Sequence, residues 1–363
     1  MTHPGLRPIK IFTPSDAGAG NTNAQNLTVK EVVARLPEDR FHVTMLLCDG
    51  QPDPRLAERA NTRLVKWRKH GNTVRLLPHC LFPPPDVYFF PRRGPLDRFF
   101  FHARHRMSLR TALVTYIVME MNATTGAGLI GRSVEEGDIV VGNSKYVSET
   151  IHRAFGVHAA VIHDGIDRRY FSAPDRRTSK ASPVVLYAGS FQPRKRVELI
   201  IEQAARLPHV QFRLAGKGET ELHCRELAAQ QGCNNISFLG HLSPEQLGGE
   251  MRHADIFFFP SIQEGNPQVL LQAAASGLPS IAMELYRSDY VIDGKTAFLA
   301  RSDSDLSRSL DRLINDEALR QSFAAAAVSH AANFDWVGIT QQWAAIFEEA
   351  AAKRRAVLQQ KAS

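Results

Sequence analysis

The chain has 363 residues, 44% hydrophobic and 22% charged, the make-up of a globular protein long enough for two domains. Its net charge of +7 is uneven: residues 1–180 carry 26 Lys and Arg against 17 Asp and Glu, and the remainder carries 18 against 20. No apolar run approaches membrane-spanning length, the start (MTHPGLRPIKIF) lacks a signal-peptide core, and Cys48, Cys80, Cys224 and Cys233 form no CxxC pair. These features argue against a membrane span, a secretory leader, a zinc site and a disulfide framework. A reducing cytoplasm is the compartment they imply, and the sequons at Asn26 and Asn122 then carry no meaning. The basic excess in the first half points to an anionic partner, a membrane surface or a phosphorylated acceptor before a nucleic acid.

In chain order, residues 10–13 read as a short strand, 14–25 as a loop rich in Gly and small polar residues, and 24–36 as a helix. Gly18 and Gly20 allow a close backbone approach, so the loop is a phosphate-cradle candidate; a plain structural turn is the alternative. GAGNTN lacks the third glycine of GxGxxG, which disfavours a dinucleotide-dependent dehydrogenase. A strand at 41–47, a helix near 54–69 and a strand at 73–77 follow. Residues 82–110 interleave aromatics with Arg92, Arg93, Arg98, Arg104, Arg106 and Arg110. They read as a loop and a helix with aromatics inward and arginines in water, or else as a patch that meets anionic lipid or a phosphate-bearing acceptor. The apolar strand 112–119 ends at Glu120. Ligands of open α/β sheets bind beyond strand ends, so Glu120 is a site candidate, with a loop-capping carboxylate as the alternative. Strands at 139–143 and 159–162 flank a helix that starts at Ser144.

Residues 175–182 are polar and read as a linker, after which strands and helices alternate again. Strands are expected at 184–187, 210–214, 236–239, 254–259 and 280–283, each followed by a loop and most by a helix; the chain is helical from 303 onward. Residues 260–279 (PSIQEGNPQVLLQAAASGLP) form a loop with a carboxylate, Glu264, and then a helix entered at Pro267 and ended by Gly277 and Pro279. The free N–H groups at that helix start suit a polar or anionic ligand. The expected architecture is α/β: two doubly wound, Rossmann-like domains facing a cleft, at 1–170 and 171–340, with 341–363 a terminal helix and basic tail that crosses back to the first domain.

Four segments resemble the retaining GT-B glycosyltransferases of family 4, the glycosyl transferases group 1: IVVGNSKYVSETI, VIHDGIDRRYF, VVLYAGSFQPRKRVELII and ADIFFFPSIQEGNPQVLLQAAASGLPSIA. The resemblance implies the GT-B fold and a nucleotide-diphospho-sugar donor held mainly by the second domain. It further implies a hydroxyl acceptor (sugar, lipid-linked, envelope or polysaccharide) at the first domain, retention at the anomeric carbon and no required metal or cofactor. Lys195 matches the phosphate-contacting lysine and Glu264 the first glutamate of the family's pair, which binds sugar hydroxyls. Gly265, Asn266 and Pro267 would line the hexose, Gly189 and Ser190 the diphosphate loop, and Gly18 and Gly20 would add amides from the first domain. Gly216, Gly218, Gly240, His241 and Leu242 fall where the family holds the base, or are ordinary turns.

Three positions depart from the pattern. Gln272 replaces the second glutamate, Ser190 replaces an arginine that Arg194 or Arg196 would substitute, and Glu120 stands where a histidine is common. These departures keep a non-catalytic nucleotide-sugar binding or scaffold protein open beside an active transferase. A sugar epimerase or phosphorylase of the same fold is a further alternative.

Overall fold

A computed structural model describes residues 7–20, 24–48, 50–67, 72–89, 95–107, 109–122, 124–174 and 182–360. The chain forms two compact units, one from Met1–Gly165 with Trp336–Ser363, the other from Ile166–Asp335.

The first unit contains the strands β1 (Ile9–Asp16), β2 (Phe41–Leu47), β3 (Thr62–Lys66), β4 (Val87–Phe89), β5 (Ala112–Ile117), β6 (Ile139–Gly142) and β7 (Ala160–Val161). They pair in parallel in the order β3-β2-β1-β4-β5-β6-β7. Every residue of β4, β5 and β6 is buried, as a parallel sheet covered on both faces requires. Strand order reverses between β1 and β4, the topological switch of a doubly wound sheet. The terminal helix Trp336–Gln360 packs here: the Trp343 ring lies 5.0 Å from Phe89 and 5.1 Å from Tyr116, and Phe347 lies 4.9 Å from Phe89.

Several expectations change in this unit. The helix expected near 54–69 is only Pro54–Ala57, and its remainder includes β3; residues 68 and 69 lie outside the described ones. The strand expected at 73–77 is part of a helix, Asn72–Leu81, which carries Pro78 inside it. Leu77 and Leu81 fall four apart, and Leu76 and Leu81 join a core cluster with Tyr88 and Phe100. The aromatics of 82–110 are mostly core. Phe100 and Phe101 are fully buried, and Tyr88 stacks on Phe100 at 3.9 Å while donating to Asp97 at 2.7 Å. Arg104 also points inward, against the expectation that the arginines face water. It pairs with Asp138 and donates to the Glu136 carbonyl at 2.9 Å, and burial lowers its pKa. Arg98, Arg106 and Arg110 are exposed, and Arg92 and Arg93 lie outside the described residues. Among the described residues no helix is long and apolar enough to cross a membrane.

The second unit contains β8 (Val184–Ala188), β9 (Gln211–Ala215), β10 (Ile236–Gly240), β11 (Ile256–Phe259), β12 (Ser280–Met283) and β13 (Ala297–Ala300), parallel in the order β10-β9-β8-β11-β12-β13. β13 was not expected: AFLA is too short to carry a period. The helices Val197–Arg206, Glu221–Gln230, Pro244–His253 and Gln268–Ala275 alternate with the strands. Ser243 and Gln246 close a reciprocal capping box on the third of them. Pro267 is the N-cap of Gln268–Ala275 rather than its first helical residue, and Gly277, at φ 66°, ends it.

Candidate functional site

In the second unit the strand order reverses between β8 and β11, so the loops leaving these two strands flank the switch point where open α/β sheets bind ligands. After β8, Pro193–Lys195 make a 3₁₀ turn that ends with Arg196 at φ 55°. The turn sends Lys195 inward; its Nζ lies 2.5 Å from Glu264 Oε1 and 4.8 Å above the Phe259 ring. Arg194 Nη1 donates to the same Oε1 at 2.8 Å and to the Gln263 carbonyl at 2.7 Å. Ser261 Oγ donates to it as well, at 2.5 Å. The Ile262 N–H donates to the Arg194 carbonyl at 3.0 Å and ties the two loops together. One carboxylate oxygen thus takes three donors, while Oε2 has no partner among the described residues. The cluster holds two cations against one carboxylate, an excess positive charge in a mostly buried setting.

Burial pulls the Lys195 ammonium below the ordinary lysine pKa, against the raising pull of Glu264; the Arg194 charge adds to the lowering. Two phenols sense the same carboxylate. Burial first, then the negative charge of Glu264, push Tyr187 and Tyr286 above the ordinary tyrosine value. The Tyr187 hydroxyl donates to the Ser190 carbonyl at 3.0 Å. The Tyr286 hydroxyl is buried with no hydrogen bond among the described residues.

Backbone hydrogen bonds extend this edge across the neighbouring loops. Gly189 N–H donates to Ala215 O at 3.0 Å, Phe191 N–H to Lys217 O at 2.9 Å, and Gly216 N–H to Gly240 O at 2.7 Å. Gly189, Ser190, Arg194, Lys195, Gly216, Gly218, Gly240 and Glu264 therefore stand on one hydrogen-bonded rim, with His241 and Leu242 continuing the chain beyond Gly240. Gly216 and Gly218 are explained by close packing. A Cβ at Gly216, whose φ is 138°, would lie 1.8 Å from Gly189 O, and one at Gly218 would lie 2.2 Å from Phe191 O. Gly265 and Asn266 lead into Gln268–Ala275, and the Asn266 Oδ1 accepts from Ser288 Oγ at 2.7 Å. Gln272 is half-buried on that helix. Arg196 does not join the cluster, because its guanidinium pairs with Asp303 at 2.5 Å. Arg194 is the arginine that does.

Sequence reasoning missed Ser261, Phe259, Tyr187 and Tyr286. Ser261 carried a usable signal, three residues before Glu264 in a loop that folds back on itself. The tyrosines carried none, since their closeness to Glu264 is tertiary.

In the first unit the Gly18 amide does not face outward as a cradle would need. It donates to Asp16 Oδ1 at 3.0 Å, and the same oxygen accepts from the Cys48 N–H at 2.9 Å. The Gly18 carbonyl accepts from the buried Lys30 Nζ at 2.9 Å. Burial lowers the Lys30 pKa, against Asp53 and Asp16. Gly20 is exposed, with open space where a Cβ would go. Glu120 is half-buried beyond the end of β5, its carbonyl accepting from Thr125 Oγ1 at 2.7 Å.

Asp164, in the HDGID segment, is buried among polar partners. Its Oδ1 accepts from Thr28 Oγ1 at 2.5 Å and Tyr116 OH at 2.7 Å. Burial raises its pKa in spite of these bonds and of a further one from Asn143. A carboxyl raised in the folded state contributes stability at low pH and loses it as pH rises through the folded value. Asp164→Asn keeps the accepting oxygen and removes the ionisation. The variant is therefore expected to melt above wild type at neutral pH, by about 1–3 kcal/mol in stability. The gap should close towards pH 4; a gap that is constant across this range in denaturation curves would refute the assignment.

Residues 171–330 match the family model described as Glycosyl transferases group 1. Among curated proteins, D-inositol 3-phosphate glycosyltransferase from Corynebacterium diphtheriae is 26% identical over 60% of this chain and 57% of its own length. That from Mycobacteroides abscessus is 28% identical over 61% of this chain and 54% of its own. The matched region thus spans little more than half the length of these relatives. Among solved structures, sucrose-phosphate synthase from Thermosynechococcus elongatus matches with a TM-score of 0.80, covering 96% of this chain and 100% of its own at 17% identity. Anabaena HepE in complex with UDP and glucose matches with a TM-score of 0.75, covering 94% and 100% at 18% identity. Residues 171–330 are thus similar to the glycosyl transferases group 1 family, and the two parallel sheets have the GT-B fold.

Proposed function

We propose that the protein is a retaining glycosyltransferase that moves a sugar from a nucleotide-diphospho-sugar to an acceptor hydroxyl. The observation that carries this reading is the Lys195–Glu264–Arg194 cluster at the β8/β11 switch. Its excess positive charge is mostly buried and pre-oriented, which suits a leaving group that gains negative charge as the glycosidic bond breaks. Glu264 Oε2 is left to accept from a sugar hydroxyl. The first N–H groups of Gln268–Ala275 add a dipole suited to phosphate.

Under this reading the acceptor hydroxyl attacks the anomeric carbon from the face the diphosphate leaves. The new C–O bond forms as the C–O bond to phosphate breaks. The hydroxyl proton passes to the departing phosphate oxygen, whose charge Lys195 and Arg194 offset. No protein base is required, and no step is routed through a metal. The names of the relatives and neighbours favour a uridine nucleotide as the first donor to test, with phosphorylated or sugar hydroxyl compounds as acceptors.

The test is a thermal-shift panel of UDP-, ADP- and GDP-sugars on the intact chain, followed by product analysis. One donor class is expected to raise Tm by several degrees at saturating concentration. A panel with no shift and no product would overturn the proposal. Gln272, in place of a second carboxylate, favours a second reading as a non-catalytic nucleotide-sugar binder. A donor that shifts Tm without hydrolysis or transfer against a broad acceptor panel would select that reading.

A further inference from the structure

We propose that the first unit carries a separate anion site that takes a phosphomonoester, at the amino ends of β1, β2 and β3. A cavity of about 310 Å³ opens there, lined by Lys10, His42, Arg63, His79 and the apolar Ile11 and Phe82, among others. The volume lies at the lower end of the range for small-molecule pockets. Among the described residues lining it there is no carboxylate.

The sheet register explains why Lys10 and Arg63 converge beside His42. Lys10 on β1 pairs with His42 on β2, and Thr44, two residues on, pairs with Arg63 on β3. Side chains alternate along a strand, so His42 and Thr44 share a face, and their cross-strand partners Lys10 and Arg63 stand beside them. His79 reaches the same cavity from the helix Asn72–Leu81. The side chains of Lys10, His42 and Arg63 make no hydrogen bond or ion pair to a described residue. The carboxylate of Asp86, which accepts from the Lys10 N–H at 3.0 Å, is engaged by Arg7 at 2.9 Å and Arg355 at 3.3 Å.

Lys10 on β1 and Arg63 on β3 stand either side of β2, and an anion bound between them offsets both charges. The arginine fork and the lysine point charge are the usual recognition pair for phosphate. Thr44 adds a hydroxyl donor. Phe82, 67% exposed, supplies an apolar wall for the ester's organic part. Ligands at the switch of this sheet would sit at the carboxyl ends of β1 and β4, the opposite end of the strands. The basic excess of residues 1–180 has here a local purpose that the transferase reading does not use.

The test uses the intact protein with labelled histidines and glycerol 3-phosphate as the probe. Saturable shifts of the His42 and His79 imidazole resonances are expected. In the Lys10→Ala/Arg63→Ala double variant the affinity should fall at least tenfold. Both positions are exposed, so the variant is expected to keep the wild-type Tm and its response to nucleotide-sugars. A parallel arm measures co-sedimentation with phosphatidylcholine vesicles containing phosphatidic acid. Double-variant-sensitive binding to these vesicles, without a response to glycerol 3-phosphate, would assign the phosphate to a lipid headgroup and still support the site. Absence of both responses, or affinity unchanged in the double variant, would overturn it.

Discussion

Lys195→Ala is expected to lower turnover about 10²–10³-fold or more with little change in fold, the scale seen when one charge-stabilising donor is removed from a reacting centre. Glu264 keeps Arg194 and Ser261 as donors after the lysine is cut back, so no buried carboxylate is stranded. Glu264→Ala should also abolish most activity, with a different signature in stability. It leaves the Lys195 ammonium buried with no acceptor from that carboxylate, a loss of about 3–5 kcal/mol for a fully buried pair and somewhat less here because both side chains of the pair keep a little exposure. Glu264→Gln should restore much of the stability and little of the rate. The measurements are single-turnover transfer with the donor found by thermal shift, and chemical denaturation of each variant. Near-wild-type turnover in both alanine variants would remove the cluster from the chemistry.

The second large effect is expected at Gly216. An alanine there must adopt φ near 138° and bring its Cβ to 1.8 Å from the Gly189 carbonyl oxygen, so the loops after β8 and β9 must separate. The cost is about 3 kcal/mol or more from backbone strain and the displaced hydrogen bonds, a fall in Tm on the order of 10 °C for a unit of this size. Because Gly189 and Phe191 lie on the loop that leads to Arg194 and Lys195, donor affinity should fall along with stability. Gly249→Ala is the control: a Cβ there meets nothing within 4 Å, and its helix Pro244–His253 should gain a few tenths of a kcal/mol or more. Equal melting of the two variants in calorimetry would show that the close approach at Gly216 is not a constraint.

The second unit was the more legible half, for a physical reason. Its strands are continuous apolar runs such as IFFF and SIAM, and its turns are marked by glycine or proline, so composition and spacing agree. In the first unit they conflict. TVRLL before Pro78 suits a short strand locally, yet it forms a helix through the proline, while TRLVK, inside an expected helix, supplies β3. Five-residue segments do not carry enough period to decide between the two. At the site, Glu264 was legible as a carboxylate in a loop after a strand, and Lys195, with Arg194 or Arg196 beside it, through the family resemblance. Their convergence on a single oxygen was not, since it depends on the Pro193–Lys195 turn and the fold-back of Ser261. The Gly18 loop stayed open between two readings because a cradle and a self-closed turn share one sequence. The side chain of Asp16, which closes it, decides between them.

The helix Trp336–Gln360 gives the two units different histories on the ribosome. Ile166–Asp335 is one continuous stretch and can close its core as soon as it has emerged, whereas Met1–Gly165 must wait for Trp336–Ser363, which are synthesised after the whole of the second unit. Until then Phe89 and Tyr116 face an empty slot in place of the Trp343 ring. During synthesis the first unit is therefore the part that exposes apolar surface longest, and the one whose yield should depend on chaperones and on an intact helix Trp336–Gln360.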